Sequence, residues 1–250
     1  MLHIIYRTCG GEDTPAEHKR WRHYKGDGAA PTERTEWFDK RIYFTSFARE
    51  VDDEVKVTVV YDGDKPLLRD YIVSNWIDRH RDVFALHQVH VGNNRASLLE
   101  CYKIADSDQV SDHFYFLEDD YLHRQGWLKV LREGFDVLPA DALITLYDHP
   151  DRYTRRDDVT SGQDSIRLSK STHWRTAEST TCTCAIRRSL WPRVRDVLRA
   201  GGVRDRETFR SLIQMGVRVW QPIPGYSTHD HVKRLSPLVD WRRVSEALSP

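Results

Sequence analysis

In the first half of the chain, segments with a strand-like pattern of hydrophobic residues alternate with segments that have helical spacing. Four short apolar runs, rich in β-branched and aromatic side chains, predict strands. They cover residues 3–8, 55–60, 83–91 and 114–117. Between them, apolar side chains at helical spacing predict helices at residues 41–50, 67–80 and 96–105. Strands that alternate with helices predict an α/β fold with a central, mostly parallel sheet flanked by helices.

The second half continues with helices and shorter strands. We expect helices at residues 127–138, 190–198 and 205–215 and strands at residues 142–147, 180–186 and 217–220.

Three stretches lack a clear period. Residues 16–40 predict a loop or lid, with a helical pattern only from Thr35 onwards. Residues 148–181 predict excursions over the sheet face rather than a second domain, and residues 225–231 predict a loop-like tail.

Composition narrows the class of protein. With 250 residues, 39% of them hydrophobic, the chain can form one compact domain with a real core. Its 38 basic and 38 acidic residues cancel, so overall charge gives no reason to expect strong attraction to nucleic acid or membranes.

Cys182 and Cys184 lack the spacing of common zinc or redox motifs, so we expect reduced thiols. Without a signal-peptide pattern or a membrane span, the sequence predicts a cytoplasmic protein.

Three consecutive carboxylates follow the strand at residues 114–117. Glu118, Asp119 and Asp120 would lie at the carboxyl end of that strand, where open α/β sheets bind ligands. Oxygen ligands of this kind attract Mg²⁺ or Mn²⁺, which usually keep part of their coordination shell for substrate phosphates. A solvated turn that caps the next helix is the structural alternative, and these residues alone favour neither.

The order of these motifs resembles the GT-A glycosyltransferases, enzymes that move a sugar from a nucleotide-diphosphate donor with a divalent metal. Asp62 is similar to the aspartate that contacts the nucleoside at the end of the family's second strand. Residues 93–97 look like a loose version of the turn and helix after the third strand. Residues 118–120 resemble the E-D-D form of the DxD motif.

The resemblance extends to the second half. Asp205 lies in the slot of the family's catalytic base, at the start of a helix that ends before Gly216, and Glu207 is the fallback. His229 resembles the late histidine that many members supply to the metal, although His231 is close by.

The resemblance implies a single GT-A domain with a nucleotide-binding half at about residues 1–122 and an acceptor-binding half at about residues 123–250. It implies a hexosyltransferase-like enzyme with Mn²⁺ or Mg²⁺ as cofactor and a UDP-sugar as the expected donor. An inverting mechanism is expected, and a retaining mechanism stays open. Asp120 and His229 would bind the metal. The implied nucleotide-binding residues are Thr8, Asp62, Asn93, Arg95, Glu118 and Asp119. The acceptor, a glycan, small molecule, protein or modified DNA, stays undefined.

Two other functions remain open on the sequence. A metal-dependent nucleotidyltransferase or phosphoesterase would also use clustered carboxylates, and a phosphoesterase usually needs ligands for a second metal. The other dense set of such side chains is His149, Asp151, Asp157 and Asp158, with no clear strand beneath it. An inactive nucleotide-sugar-binding module is the remaining alternative.

Single residues also have structural alternatives. Asp62 is compatible with an ordinary Asp-Gly turn, and Asp205 with a cap for its helix. Trp174 and Trp191 could stack on a sugar, but core packing is expected for both.

Overall fold

The computed structural model describes residues 1–10, 33–154 and 165–248. Within these residues the chain forms eleven strands. They are β1 (Leu2–Cys9), β2 (Val55–Asp62), β3 (Phe84–Val89), β4 (His113–Glu118), β5 (Tyr121–His123), β6 (Ala142–Ile144), β7 (Ile166–Leu168), β8 (His173–Ala177), β9 (Cys184–Arg187), β10 (Arg218–Ile223) and β11 (Ser227–His229).

Nine of these strands form one sheet, in the order β3-β2-β1-β4-β9-β6-β10-β8-β7. The strands β3, β2, β1 and β4 are parallel. β10 is parallel to β6, and β9 is antiparallel to both β4 and β6. The predicted α/β fold with a parallel core is therefore confirmed, and the antiparallel strands make the complete sheet mixed.

Helices cover both faces of this sheet. They are α1 (Lys40–Ala48), α2 (Pro66–Ile72), α3 (Asn94–Ser107), α4 (Trp127–Val137), α5 (Asp151–Thr154), α6 (Trp191–Gly201), α7 (Asp205–Gln214) and α8 (Trp241–Glu246). A short π-helical segment, Val73–Ile77, continues α2. Alternate residues of β1 point to opposite faces, so Ile4 packs in the core under α1 and α4, whereas Ile5 packs in the core under α3, α6 and α7.

Two stretches differ from the prediction. Residues 148–181 do not simply cross the sheet face, because β7 and β8 extend the sheet at its edge, antiparallel to each other and, through β8, to β10. Alternating polar residues such as His173 and Arg175 concealed this edge from a search for apolar runs. The first part of the predicted loop at residues 16–40 lies outside the described residues, and α1 begins at Lys40.

The tail at residues 225–231 is not a loop. Residues Ser227–His229 form β11, which pairs with β5 in a separate two-stranded sheet. Leu122 of β5 packs with Trp241 of α8 in a small third core. Three-residue strands are too short to give a periodic signal, and this one places His229 directly opposite Tyr121.

The four cysteines form no disulfide with one another in the described structure. None of the helices in the described parts of the chain is long and apolar enough to cross a membrane.

Candidate active site

The carboxyl ends of β1, β2 and β4 meet at one edge of the sheet. β1 lies between the other two strands, so that Arg7 is level with Glu118 of β4 and Cys9 is level with Asp62 of β2. The three carboxylates singled out in the sequence therefore lie where open α/β sheets bind ligands.

Glu118, the last residue of β4, is paired with Arg7. Nη2 of Arg7 donates to Oε1 of Glu118, and Nη1 donates to the backbone oxygen of Asn94 at 2.9 Å. The backbone N–H of Glu118 donates to Oγ1 of Thr183, before β9, at 3.1 Å. Burial is the largest influence on Glu118 and raises its pKa, although Arg7 opposes the shift. Arg7 thus connects the end of β4 to the start of α3.

Asp119 is held by two residues of the neighbouring elements. Oδ2 of Asp119 accepts from Oγ1 of Thr8 at 2.7 Å and lies 2.9 Å from Nζ of Lys40. Lys40 is buried, and its ammonium also donates to the backbone oxygen of Cys9 at 3.1 Å. Asp119 therefore joins the end of β1 to the first turn of α1.

Asp120 has a cation and a histidine on one oxygen. Nη1 of Arg34 donates to Oδ2 at 2.8 Å, and Nε2 of His229 lies 3.0 Å from the same atom. Burial alone would raise the pKa of Asp120, but His229 and Arg34 together hold it well below its usual range. Burial lowers the pKa of His229, and the Asp120 carboxylate outweighs that effect and raises it.

Asp230 fixes the position of Arg34. Its backbone oxygen accepts from Nη1 of Arg34 at 2.8 Å, and its carboxylate accepts from the backbone N–H and the hydroxyl of Thr35 at 2.8 and 2.7 Å. The guanidinium of Arg34 also lies 4.8 Å from the centre of the Phe38 ring. The segment before α1 is therefore attached to the end of β11, next to Asp120.

Two side chains at this edge fit a divalent cation that keeps substrate ligands. Within the described residues, Oδ1 of Asp120 and Nδ1 of His229 are buried without a hydrogen-bond partner. Oδ2 of Asp120 and Nε2 of His229 are hydrogen-bonded to each other at 3.0 Å, so each side chain keeps its other polar atom for a ligand. No group of three or more His, Cys, Asp or Glu side chains in the described residues could hold a metal. Phosphate oxygens and water would have to supply the other ligands.

Asp205 lies at the first position of α7, and it is not the N-cap. The N-cap is Arg204, which makes no side-chain capping bond within the described structure. Oδ1 of Asp205 instead accepts from Sγ of Cys182 at 3.1 Å. Burial, followed by the nearby charge of Glu118, raises the pKa of Asp205 to about 7. His229 and Arg7 also influence that pKa, which places Asp205 within electrostatic reach of the same cluster.

Glu207, the predicted fallback, has a different environment. Its side chain is 70% exposed and pairs with Arg204 at 3.2 Å. Asp205 is half-buried and lies closer to the charges of the carboxylate cluster, so it is the better placed of the two for proton transfer.

The remaining predicted nucleotide-binding residues lie at the ends of β2 and β3. Asp62 is nearly buried, and its carboxylate accepts from the backbone N–H groups of Val91 and Gly92 at 2.9 to 3.1 Å. Asn93 caps α3 by accepting from the N–H of Ala96 at 2.8 Å. Arg95 is exposed and donates to the backbone oxygen of Arg199 at 3.3 Å. These three therefore shape the loops beside the cluster.

The structure also locates the other residues that the sequence suggested for ligand or metal binding. Trp174 and Trp191 are buried in the two cores, as expected. His231 lies beyond β11, with its ring centre 6.4 Å from that of His229, and Asp120 contacts only His229 of the two. His149 and Asp151 are 3.7 Å apart, and Asp157 and Asp158 lie outside the described residues.

Sequence reasoning missed four residues of the cluster. Arg7, Arg34 and Lys40 each pair with one of the carboxylates at 118–120. Arg7 interrupts the apolar run of β1, which was an available signal, because a charged residue in a buried strand needs a partner. Arg34 and Lys40 gave no comparable signal, and Cys182 was noted only for its spacing to Cys184.

No family model matches the chain, and no curated protein matches it. Solved structures do match. The chain is similar to GalNAc-T7 with UDP, GalNAc and Mn²⁺, with a TM-score of 0.53 and 8% identity over 92% of this chain and 43% of that chain. For S. aureus TarS 1-349 in complex with UDP, the TM-score is 0.46 with 13% identity, over 88% and 57% of the two chains. A Bacillus anthracis protein assigned as a glucose-1-phosphate thymidylyltransferase gives 0.48 with 11% identity, over 99% and 95%.

The match to GalNAc-T7 shows that this chain has the GT-A glycosyltransferase fold. The expected fold is therefore confirmed. The chain covers 43% of the GalNAc-T7 chain and 57% of the TarS chain, and an identity of 8% to GalNAc-T7 shows the fold alone.

Proposed function

We propose that this protein is a metal-dependent, inverting glycosyltransferase that moves a sugar from a nucleotide-diphosphate sugar to an acceptor hydroxyl. The observation that carries the proposal is Asp205, a half-buried carboxyl with a pKa raised to about 7, within electrostatic reach of Glu118 and His229. A base poised near neutral pH next to a candidate metal and phosphate site suits this reaction.

The donor would bind at the carboxyl edge of the strands from residues 1–122, and the acceptor beside residues 123–250. We assign Thr8, Asp62, Asn93, Arg95, Glu118 and Asp119 to the nucleotide side, on the resemblance to GT-A enzymes. UDP and Mn²⁺ are named with GalNAc-T7, and UDP with TarS, which supports a UDP-sugar as donor and Mn²⁺ as cofactor here.

Asp120 and His229 would hold the cation, which supplies Lewis-acid stabilisation of the negative charge that develops on the diphosphate. Arg34 shares Oδ2 of Asp120 and is anchored by Asp230, so it keeps this carboxylate in one orientation. Arg7 and Lys40 do the same for Glu118 and Asp119.

Asp205 would accept the proton of the acceptor hydroxyl. As the acceptor oxygen forms a bond to the anomeric carbon, the bond from that carbon to the diphosphate oxygen breaks, and the electron pair leaves with the nucleoside diphosphate. Attack from the face opposite the leaving group inverts the anomeric configuration. The carboxylate must be ionised for this step, so the rate should rise as the pH passes about 7.

Release of UDP from a panel of UDP-sugars, with Mn²⁺ and candidate acceptors, tests this proposal. Asp205→Asn should preserve the binding of UDP and lower kcat by about 10²–10⁴-fold, because the amide accepts no proton. Glu207→Gln is the matched comparison in the same helical turn, and it should leave kcat unchanged.

The products separate the other functions. A nucleotidyltransferase would release a sugar phosphate or pyrophosphate instead of UDP, and an inactive binding module would bind UDP without turnover in any mixture. An unchanged kcat in Asp205→Asn together with a loss in Glu207→Gln would transfer the role of base to Glu207.

A further inference from the structure

The thiol of Cys182 is hydrogen-bonded to Asp205, the proposed catalytic base. Cys182 lies on the loop that leads into β9, and its Sγ donates to Oδ1 of Asp205 at 3.1 Å. The same sulfur lies 3.8 Å from the backbone oxygen of Gly202, in the corner between α6 and α7. Cys182 is 9% exposed, so water competes little for this hydrogen bond.

The corner that carries Asp205 is tightly packed. A Cβ atom on Gly201 would lie 1.8 Å from Oγ1 of Thr208, so only glycine allows α6 to approach α7 this closely. Oγ1 of Thr208 donates to the backbone oxygen of Arg204 at 2.8 Å, which closes the first turn of α7. The backbone at Asp205 is therefore fixed by the packing of α6 on α7. Cys182 reaches the carboxylate of Asp205 from the loop before β9.

We propose that Cys182 is a positioning residue that orients the carboxylate of Asp205 by binding Oδ1 and leaving Oδ2 directed to the acceptor hydroxyl. The inference rests on the proposed function, because it requires Asp205 to be the base.

A thiol suits this task for a physical reason. A lysine or arginine in its place would pair with the carboxylate and weaken it as a base, whereas a neutral, weak donor orients the carboxylate at little cost in basicity. The other groups that act on Asp205 are Glu118 of β4, His229 of β11 and Arg7 of β1. Cys184 of β9 is also within electrostatic reach. Burial, followed by the negative Glu118, raises the pKa of Asp205, and the hydrogen bond from Cys182 lowers it.

Removal and restoration of the donor test the proposal. Cys182→Ala should lower kcat about 10-fold while KM for the UDP-sugar stays unchanged, because the carboxylate loses its orientation but the donor site is intact. The acid limb of the pH profile of kcat/KM should move up by roughly 0.5–1 unit, since the lost hydrogen bond favoured the ionised form. Cys182→Ser restores a donor and should recover most of kcat.

Cys184→Ala is the matched control. Cys184 is equally a buried thiol, two residues further along the same segment, and no hydrogen bond to Asp205 is formed by it in the described structure. It should leave kcat and the pH profile unchanged. Cys182→Val fills the space of the thiol without a donor, and it replaces the alanine variant if that protein does not fold.

The double variant separates this proposal from the proposed function. In an Asp205→Asn background, Cys182→Ala should have no further effect on kcat. Wild-type kcat in Asp205→Asn would refute the proposed base itself. A large loss in Asp205→Asn with an unchanged rate and pH profile in both Cys182→Ala and Cys182→Val would overturn the positioning role alone. An equal loss in Cys182→Ser and Cys184→Ala would also overturn it, because packing would then explain the effect.

Discussion

A histidine and an aspartate pair near each end of the parallel strands, and the two pairs differ in which polar atoms they leave without a partner. At the amino ends of the strands, Nδ1 of His3 lies 2.6 Å from Asp108, and Nε2 lies 2.8 Å from the hydroxyl of Thr58. At the carboxyl ends, His229 contacts Asp120 through Nε2 alone.

The carboxylates repeat the contrast. Asp108 also accepts from the N–H groups of Val110 and Ser111, both at 2.9 Å, and from the hydroxyl of Ser111 at 2.8 Å. Asp120 instead has a buried Oδ1 without a partner in the described residues. A saturated pair can only stabilise the fold, whereas an unsaturated one keeps the capacity to bind a ligand.

The pKa values of the two histidines diverge accordingly. Burial, then the charge of Lys56, lowers the pKa of His3 to about 4 against the opposing effect of Asp108. For His229 the attraction of Asp120 outweighs burial, and its pKa is raised. We call these the closed pair (His3 and Asp108) and the open pair (His229 and Asp120).

The largest expected effect comes from the open pair. Asp120→Ala should reduce kcat/KM by at least about 10³-fold, because it removes a proposed metal ligand and leaves Arg34 and His229 without their carboxylate. Calorimetry with UDP, with and without Mn²⁺, should show that the metal no longer strengthens binding. Unchanged Mn²⁺-dependent affinity would contradict the assignment of Asp120 to the metal.

In the closed pair the corresponding change should affect stability instead. Asp108→Ala removes the acceptor of four hydrogen bonds, three of them partly buried, so the free energy of unfolding should fall by about 3 kcal/mol. Urea denaturation measures this loss. The kcat of the folded protein should stay within about twofold of wild type, and a specific loss of kcat would show that the two ends of the sheet are coupled.

The open pair also shows how far the sequence could predict the site. Asp120 was predicted from its place after a buried strand, and Asp205 and His229 were predicted from the resemblance to GT-A enzymes. The cations that pair with the carboxylates were not predicted, because only the folded chain brings Arg34 next to Asp120 and Lys40 next to Asp119. The exposure of Glu207 could not be predicted from the sequence either, because it depends on which way the first turn of α7 faces.

The strands of the fold also differ in how well the sequence predicts them. The parallel core was predictable because β1, β2 and β4 have six to eight mostly apolar residues that are buried on both faces. β7, β8 and β11 were missed because they have three to five residues and mix polar with apolar side chains. Such strands form through pairing with neighbours that are distant in sequence, as β8 does with β10.

A pH titration sharpens the comparison with a somewhat smaller effect. His3 is neutral in the folded protein down to a pKa of about 4, whereas the unfolded chain takes up a proton near pH 6.5. Stability should therefore be fully present above that range and decrease as the pH falls, by about 2.5 kcal/mol at pH 4.5. Urea midpoints at several pH values measure this slope. His3→Gln removes the titrating ring, so its slope should be shallower; an identical slope would assign the effect to other groups.

The smallest effect should distinguish two threonines, one near each pair. The hydroxyl of Thr58 is hydrogen-bonded to His3 in the closed pair, and the hydroxyl of Thr8 donates to Asp119 beside the open pair. Thr58→Val keeps the volume but removes one buried hydrogen bond, so it should lower the free energy of unfolding by about 1 kcal/mol and leave KM for the UDP-sugar unchanged. Thr8→Val leaves Lys40 as a partner of Asp119, so it should change stability less but raise that KM, because the carboxylate beside the proposed donor site loses one of its two contacts. Denaturation curves and initial rates on both variants check the prediction, and a raised KM in Thr58→Val with a normal KM in Thr8→Val would reverse the assignment of the two ends.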